Sequence, residues 1–129
     1  MILLCDEDIG TGVPTALTAV GYDARALVRQ GWGGRPDVEW LAWAGNAGML
    51  VLSCNKKMLT VPSEHQAIVD NKVDIVFLTT GEERPAKVLL TLLRKWDALE
   101  LLDDTEKRPF ARFLNGRGQV LDTYQGLGL

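Results

Sequence analysis

The sequence predicts an α/β fold of three layers, α/β/α, with a mostly parallel central sheet. Three observations predict it. Ile2-Leu3-Leu4-Cys5, Met49 to Ser53 and Asp74 to Leu78 are short apolar runs, as expected of strands buried on both faces of a parallel sheet. The segments between them carry apolar residues at helical spacing. The two kinds alternate as β-α-β-α-β-α-β-α before a closing pair of strands, and such alternation places helices on both faces of one sheet.

Each element has its own signal. The first strand stops abruptly at Asp6-Glu7-Asp8, and Gly10-Thr11-Gly12 breaks the chain. Pro14 suits the first turn of a helix through Val20, which Gly21 ends. Asp23 to Val28 is a weaker strand near the edge. Gly31-Trp32-Gly33-Gly34-Arg35-Pro36 is a loop. A helix then runs from Asp37 to about Ala47, with an apolar stripe wide enough to lie against a sheet, and Gly48 stops it. Cys54-Asn55-Lys56-Lys57 ends the third strand, and Pro62 opens a short helix through Val69. After the Asp74 to Leu78 strand, Thr80-x-x-Glu83 fits a capping box with Pro85 just inside. Val88, Leu89, Leu92, Leu93 and Trp96 mark that helix, and Arg94 and Lys95 suit its C-terminal turn. Phe110 to Leu114 and Gln119 to Asp122 flank Asn115-Gly116-Arg117-Gly118, the pattern of a C-terminal β-hairpin.

Bulk properties narrow the function. The length of 129 residues predicts one domain spanning 1–129. With 47% hydrophobic and 24% charged residues, the chain is not of the disordered class. A net charge of −3 excludes nucleic-acid binding through bulk charge. It leaves room for an enzyme that meets nucleic acid through metal ions and a local basic patch. Cys5 and Cys54 lack zinc or CxxC spacing and read as thiols in a reducing compartment. An N-terminus that turns acidic at Asp6, and the lack of a long apolar run, predict a soluble, cytoplasmic protein with no membrane span.

In an open parallel sheet, function gathers at the carboxyl ends of the strands where the strand order reverses. With the order 2-1-3-4, Asp6-Glu7-Asp8 and Ser53-Cys54-Asn55 end neighbouring strands at that point, and Asp37 can face the same edge. Clustered carboxylates repel, and a hard cation such as Mg²⁺ or Mn²⁺ relieves them. On spacing alone, the alternative is that Asp6-Glu7-Asp8 is a solvated loop and Asp37 a helix cap.

Four stretches in order resemble the PIN-like domains, the fold of VapC-type toxin ribonucleases. Ile2 to Asp8 is similar to their first strand and first acid. Gly21-Tyr22-Asp23 followed by Gly33 to Ala44 is similar to their second acidic motif. Met49 to Lys57 resembles the third strand and its T-x-D-K turn. Phe77-Leu78-Thr79, Pro109 to Phe113 and Gly116-Arg117-Gly118 resemble the tail of one uncharacterised PIN-like subgroup.

The resemblance implies Mg²⁺- or Mn²⁺-dependent RNA cleavage, with the chain as the toxin of a toxin–antitoxin pair. It assigns Asp6 and Asp37 as catalytic metal ligands, with Glu7 and Glu39 as accompanying acids. Asn55 stands where the pattern has Asp; it keeps a carbonyl oxygen but brings no charge. Glu64 is a compensating carboxylate or simply a first-turn acid. Arg35, Lys56, Lys57 and Trp32 are the candidate RNA contacts, and RNA, an antitoxin protein and a second copy of the chain the expected partners. The alternative is a catalytically degenerate PIN-like module that binds a partner protein or RNA. A receiver-like phosphoacceptor fits less well, because position 55 is Asn.

Overall fold

The computed structural model describes residues 1–79 and 83–117, and the backbone of 120–121. The strands are β1 (Leu3–Cys5), β2 (Ala24–Ala26), β3 (Leu50–Ser53), β4 (Asp74–Leu78), β5 (Ala111–Leu114) and β6 (Val120–Leu121). The helices are α1 (Gly12–Ala19), α2 (Asp37–Asn46), α3 (Pro62–Asp70) and α4 (Pro85–Thr105). One sheet holds the strands in the order β2-β1-β3-β4-β5-β6. Its first five strands are parallel, and β6 runs antiparallel to β5.

The expected order 2-1-3-4 is therefore present and extended. The C-terminal hairpin forms, with Phe113 opposite Leu121, but its first strand also joins β4 in parallel. Strand alternation divides the core between two faces. Leu3, Cys5, Leu50, Leu52 and Val76 meet Val13 and Leu17 of α1 and Val88, Leu92, Trp96 and Leu99 of α4. Leu4, Val51, Ile75 and Phe77 meet Trp40, Leu41 and Ala44 of α2 and Ile68 of α3. These are the three layers.

Two expectations need correction. The fourth helix does not end near Arg94 and Lys95. It continues to Thr105, because Trp96 and Leu99 keep the buried stripe of Val88 and Leu92 in phase. The capping box does not set its start either. Arg84 is the capping residue without a side-chain cap, and Pro85 opens the first turn. Glu83 instead makes an exposed pair with Lys87 at 3.4 Å, while Thr80 lies outside the described residues.

The layer of α2 and α3 depends on one close approach. A Cβ at Gly45 would lie 2.3 Å from the Asn71 carbonyl oxygen and 3.0 Å from Val73 Cγ2. Backbone cannot yield as a flexible side chain does. Gly45→Ala is expected to cost about 1–3 kcal/mol through overpacking, read as a lower urea midpoint at unchanged slope. No helix among the described residues is long and apolar enough to cross a membrane.

Candidate active site

The sheet register builds the site. Cys5 stands opposite Leu52, and the Asp6 amide donates to the Leu52 carbonyl at 2.9 Å. The next residue on each strand is thus Asp6 and Ser53, side by side at the carboxyl end. Both are buried. Asp6 Oδ1 accepts from the Glu7 amide at 2.7 Å, and Asp6 Oδ2 accepts from Ser53 Oγ at 2.8 Å. Ser53 Oγ also lies 3.3 Å from Asp8 Oδ2 and accepts from the Asn55 amide at 3.0 Å. A hydroxyl has a single proton, so Ser53 serves one of the two carboxylates at a time. Asp8 Oδ2 takes a second bond from the Cys54 amide at 3.1 Å.

The glycine loop folds over this edge. Glu7 Oε1 accepts from the Gly34 amide at 3.2 Å, and Gly34 has the positive φ of 74° that glycine tolerates. The result is a cleft of about 400 Å³ lined by Asp6, Glu7, Asp8, Gly34, Arg35, Asp37 and Asn55. Arg35 is exposed, with its guanidinium carbon 5.1 Å from the Trp32 ring centre. Trp32 in turn packs on Trp43 at 5.6 Å. Asp37 opens α2 and accepts from the indole nitrogen of Trp40 at 2.9 Å, which satisfies a buried donor.

Electrostatics follow from burial and crowding. Burial first, then the Asp8 carboxylate, push Asp6 up to about 6; the bonds from Ser53 and Glu7 oppose this, and Asp37 adds to it. Asp8 is raised by burial and by Asp37, against its bonds from Cys54 and Ser53. Glu64 on α3 is raised by burial and by Asp37 beside it, and its Oε2 is buried without a hydrogen bond. Cys5 is pushed up to about 12 by burial, Asp6 and Asp8, so it is no nucleophile near neutral pH.

Several carboxylates thus face one cleft, and Arg35 is the cation in its lining. The donors are all hard oxygens, which suit Mg²⁺ or Mn²⁺ over softer metals. No group of three or more His, Cys, Asp or Glu among the described residues forms a ready-made cage.

Of the residues singled out in the sequence, the structure brings Asp6, Glu7, Arg35, Asp37 and Asn55 to the cleft. It places Glu39 exposed on the first turn of α2, outside the cleft lining. Lys56 and Lys57 are exposed on a 3-10 turn, Lys56–Leu59, also outside it. Trp32 supports Arg35 and leans on Trp43. Asp8 and Ser53 belong to the stretches expected at this edge but are not among the candidate site residues; the structure bonds Ser53 to Asp6 and sets it 3.3 Å from Asp8. The signal was present: once the first and third strands are neighbours, the residue after each apolar run must meet its counterpart.

A family model described as a PIN like domain matches residues 1–80. No curated protein and no solved structure matches the chain. The matched stretch runs from β1 through β4, and so carries every acid that lines the cleft. It covers more than half of the 129 residues, and the chain belongs to the PIN-like domain family.

Proposed function

We propose that this chain is a divalent-metal-dependent endoribonuclease of the PIN type, acting as the toxin of a toxin–antitoxin pair. The observation that carries the reading is the crowding of Asp6, Asp8 and Asp37 around one cleft, where burial first and then the Asp8 carboxylate raise the Asp6 carboxyl to about 6. Keeping several acids together without a counter-charge costs stability, and a divalent cation removes that cost. Membership of a nuclease-type superfamily points the same way.

In this reading Asp6 and Asp37 hold Mg²⁺ or Mn²⁺, with Glu7 and Asp8 steadying the inner wall. When bound, the ion supplies an activated water and offsets charge on the phosphate. Above pH about 6 the Asp6 carboxylate is ionised and ready to act as a ligand. Ser53 keeps it oriented. Arg35, propped on Trp32, reaches the scissile phosphate from the rim, where its charge stabilises the developing anion. Asn55 offers a carbonyl oxygen or an amide donor but no charge. Glu64, against Asp37, contributes the negative charge that Asn55 lacks. Lys56 and Lys57 attract the polyanion from the neighbouring turn. RNA is the substrate, an antitoxin protein the inhibitor, a homodimer the working form and the cytoplasm the compartment.

The test is cleavage of a labelled single-stranded RNA with Mn²⁺, Mg²⁺ or chelator, alongside calorimetric titration with Mn²⁺. Metal-dependent cleavage with sub-millimolar binding is expected. Neither cleavage nor binding at saturating Mn²⁺ would overturn the proposal. That outcome would favour the second reading, a degenerate PIN-like module that binds a partner protein or RNA. Two observations speak for that module: Asn55 in the cleft and the lack of a ready-made three-ligand group among the described residues.

A further inference from the structure

Every exposed leucine among the described residues lies on one helix. Leu90, Leu93 and Leu101 all belong to α4, and Leu101 keeps 64% of its surface in solvent. At about 100° per residue the three fall within an arc of about 80°. That arc points away from Val88, Leu92, Trp96 and Leu99, which dock on the sheet. A helix that already buries one stripe on its own sheet gains nothing internal from a second.

Charge on the same face is ordered too. Arg94 and Asp97 are exposed between Leu90 and Leu101, and Lys87 and Asp104 stand outside them. Arg94, Asp97 and Asp104 take part in none of the ion pairs among the described residues, and Lys87 has only an exposed pair with Glu83 at 3.4 Å. Pairs of that kind contribute little. Along α4 the row reads Lys87, Leu90, Arg94, Asp97, Leu101, Asp104, in steps of 3, 4, 3, 4 and 3 residues. Such steps keep residues on one seam of a helix pair. Taken from the other end the spacing is identical, each leucine falls on a leucine and each charge falls on its opposite.

We propose that this face is the interface of a homodimer, in which a second copy of the chain lays its α4 antiparallel on the first about a two-fold axis passing between Lys95 and Trp96. In that register Leu90 stands level with the partner subunit's Leu101, Arg94 with the partner subunit's Asp97 and Lys87 with the partner subunit's Asp104. The symmetry repeats each pairing. A parallel copy would set Arg94 against arginine and Asp97 against aspartate, so the charges select the antiparallel arrangement. The face lies outside residues 1–80, the stretch that the family model matches. The inference rests on the homodimer named in the proposed function and not on the nuclease chemistry. With 21 residues, α4 is about 30 Å long. A contact one helix wide and that long is at the small end of specific interfaces, so the dimer is expected to be reversible, in the micromolar range.

The experiment is sedimentation velocity of the full chain over a concentration series spanning that range. The parent is expected to pass from monomer to dimer. Leu90→Ser/Leu101→Ser should remain monomeric. Arg94→Glu and Asp97→Arg, taken singly, place like charges together and should each weaken the dimer about tenfold or more. The double swap Arg94→Glu/Asp97→Arg restores opposite charges and should return the dissociation constant to within about threefold of the parent. Lys107→Glu, at an exposed position beyond α4, should associate as the parent does. All these positions are exposed, so unchanged circular dichroism separates lost association from lost fold. A parent that stays monomeric would overturn the interface, and if it still cleaved RNA with Mn²⁺ the nuclease reading would stand without a dimer. Parental association in both single reversals would move the dimer to another face, and a double swap that stays weak would reject the antiparallel register. The expected pattern in a parent without metal-dependent cleavage would keep the interface and sink the nuclease reading.

Discussion

Asp6→Asn is expected to abolish metal-dependent cleavage and, in the absence of metal, to make the protein more stable. The two effects share one cause. Burial and the neighbouring Asp8 hold the Asp6 carboxyl at about 6 instead of its ordinary 3.8. The folded state therefore binds a proton more tightly than the unfolded state does. Stability falls as pH rises from about 4 to about 6, and the whole penalty is present at pH 7. A shift of this size corresponds to roughly 3 kcal/mol at about 1.4 kcal/mol per pH unit. Asn removes the charge but gives back part of the gain, because only its carbonyl oxygen can accept from Ser53 or Glu7. A net gain of about 1–2 kcal/mol remains, a rise of several degrees in Tm. The variant's stability curve should also lose the Asp6 part of the decline between pH 4 and 6.

Mn²⁺ should then reverse the order of the two proteins. It stabilises the parent by mass action and does little for the variant. Cleavage should drop by at least about a hundredfold, since even partners of metal ligands cost about 10–100-fold. Thermal denaturation with and without Mn²⁺, beside the RNA assay, reads all three effects. A variant that cleaves within a few-fold of the parent, or shows the same Mn²⁺-induced rise in Tm, would remove Asp6 from the site.

The strands at the heart of the sheet were legible because burial on both faces leaves no room for alternation. Leu50 to Leu52 and Ile75 to Leu78 are apolar at every position. Their order, 2-1-3-4, is an assumption at the level of sequence that the sheet bears out, because alternation of strands and helices does not by itself fix which strands are neighbours. Longer-range features were harder to read. Arg94 and Lys95 carry the charge that favours a helix end, yet Trp96 and Leu99 dock on the sheet and draw the helix onward to Thr105. Packing outweighs an end signal worth a fraction of a kcal/mol. The parallel joint of β5 to β4 is invisible to a local hairpin pattern. Within the site, carboxylates that begin helices look like caps. Only the register that sets Asp6 beside Ser53, and the helix pair that sets Glu64 against Asp37, shows them as neighbours.

Arg108→Ala is expected to be the most destabilising of the charge changes, with a pH signature of its own. Asp74 begins β4 and is fully buried. Arg108 Nε stands 2.9 Å from Asp74 Oδ2 as an ion pair, and Arg108 Nη2 donates to Asp103 Oδ1 at 3.2 Å. Burial pushes Asp74 up to about 7; Arg108 pulls it down, Asp103 pushes it further up and the Phe110 backbone opposes. Removing Arg108 leaves two acids facing each other around a buried site. Breaking a buried pair costs about 3–5 kcal/mol. Because Arg108 is a third exposed, solvent screening brings the cost below that range, to about 2–3 kcal/mol near pH 8.

The sign then sets the test. Asp74 is raised in the folded state, so the parent loses stability as pH climbs from about 4 to about 7. Without Arg108 the carboxyl rises further, and the loss extends to higher pH. The penalty of the variant should thus be small near pH 5, where Asp74 is protonated in the folded state with or without the arginine, and full near pH 8. Urea midpoints at both values measure it. A penalty equal at both would mean that Arg108 acts through packing rather than charge. The pair also has a position that matters. Arg108 comes from the segment between α4 and β5, and Asp74 lies inside the stretch that the family model matches. The Ile75 amide bonds to the Phe110 carbonyl beside them at 3.0 Å. Buried charge, rather than apolar contact alone, ties the last third of the chain to the sheet that carries the acidic cleft.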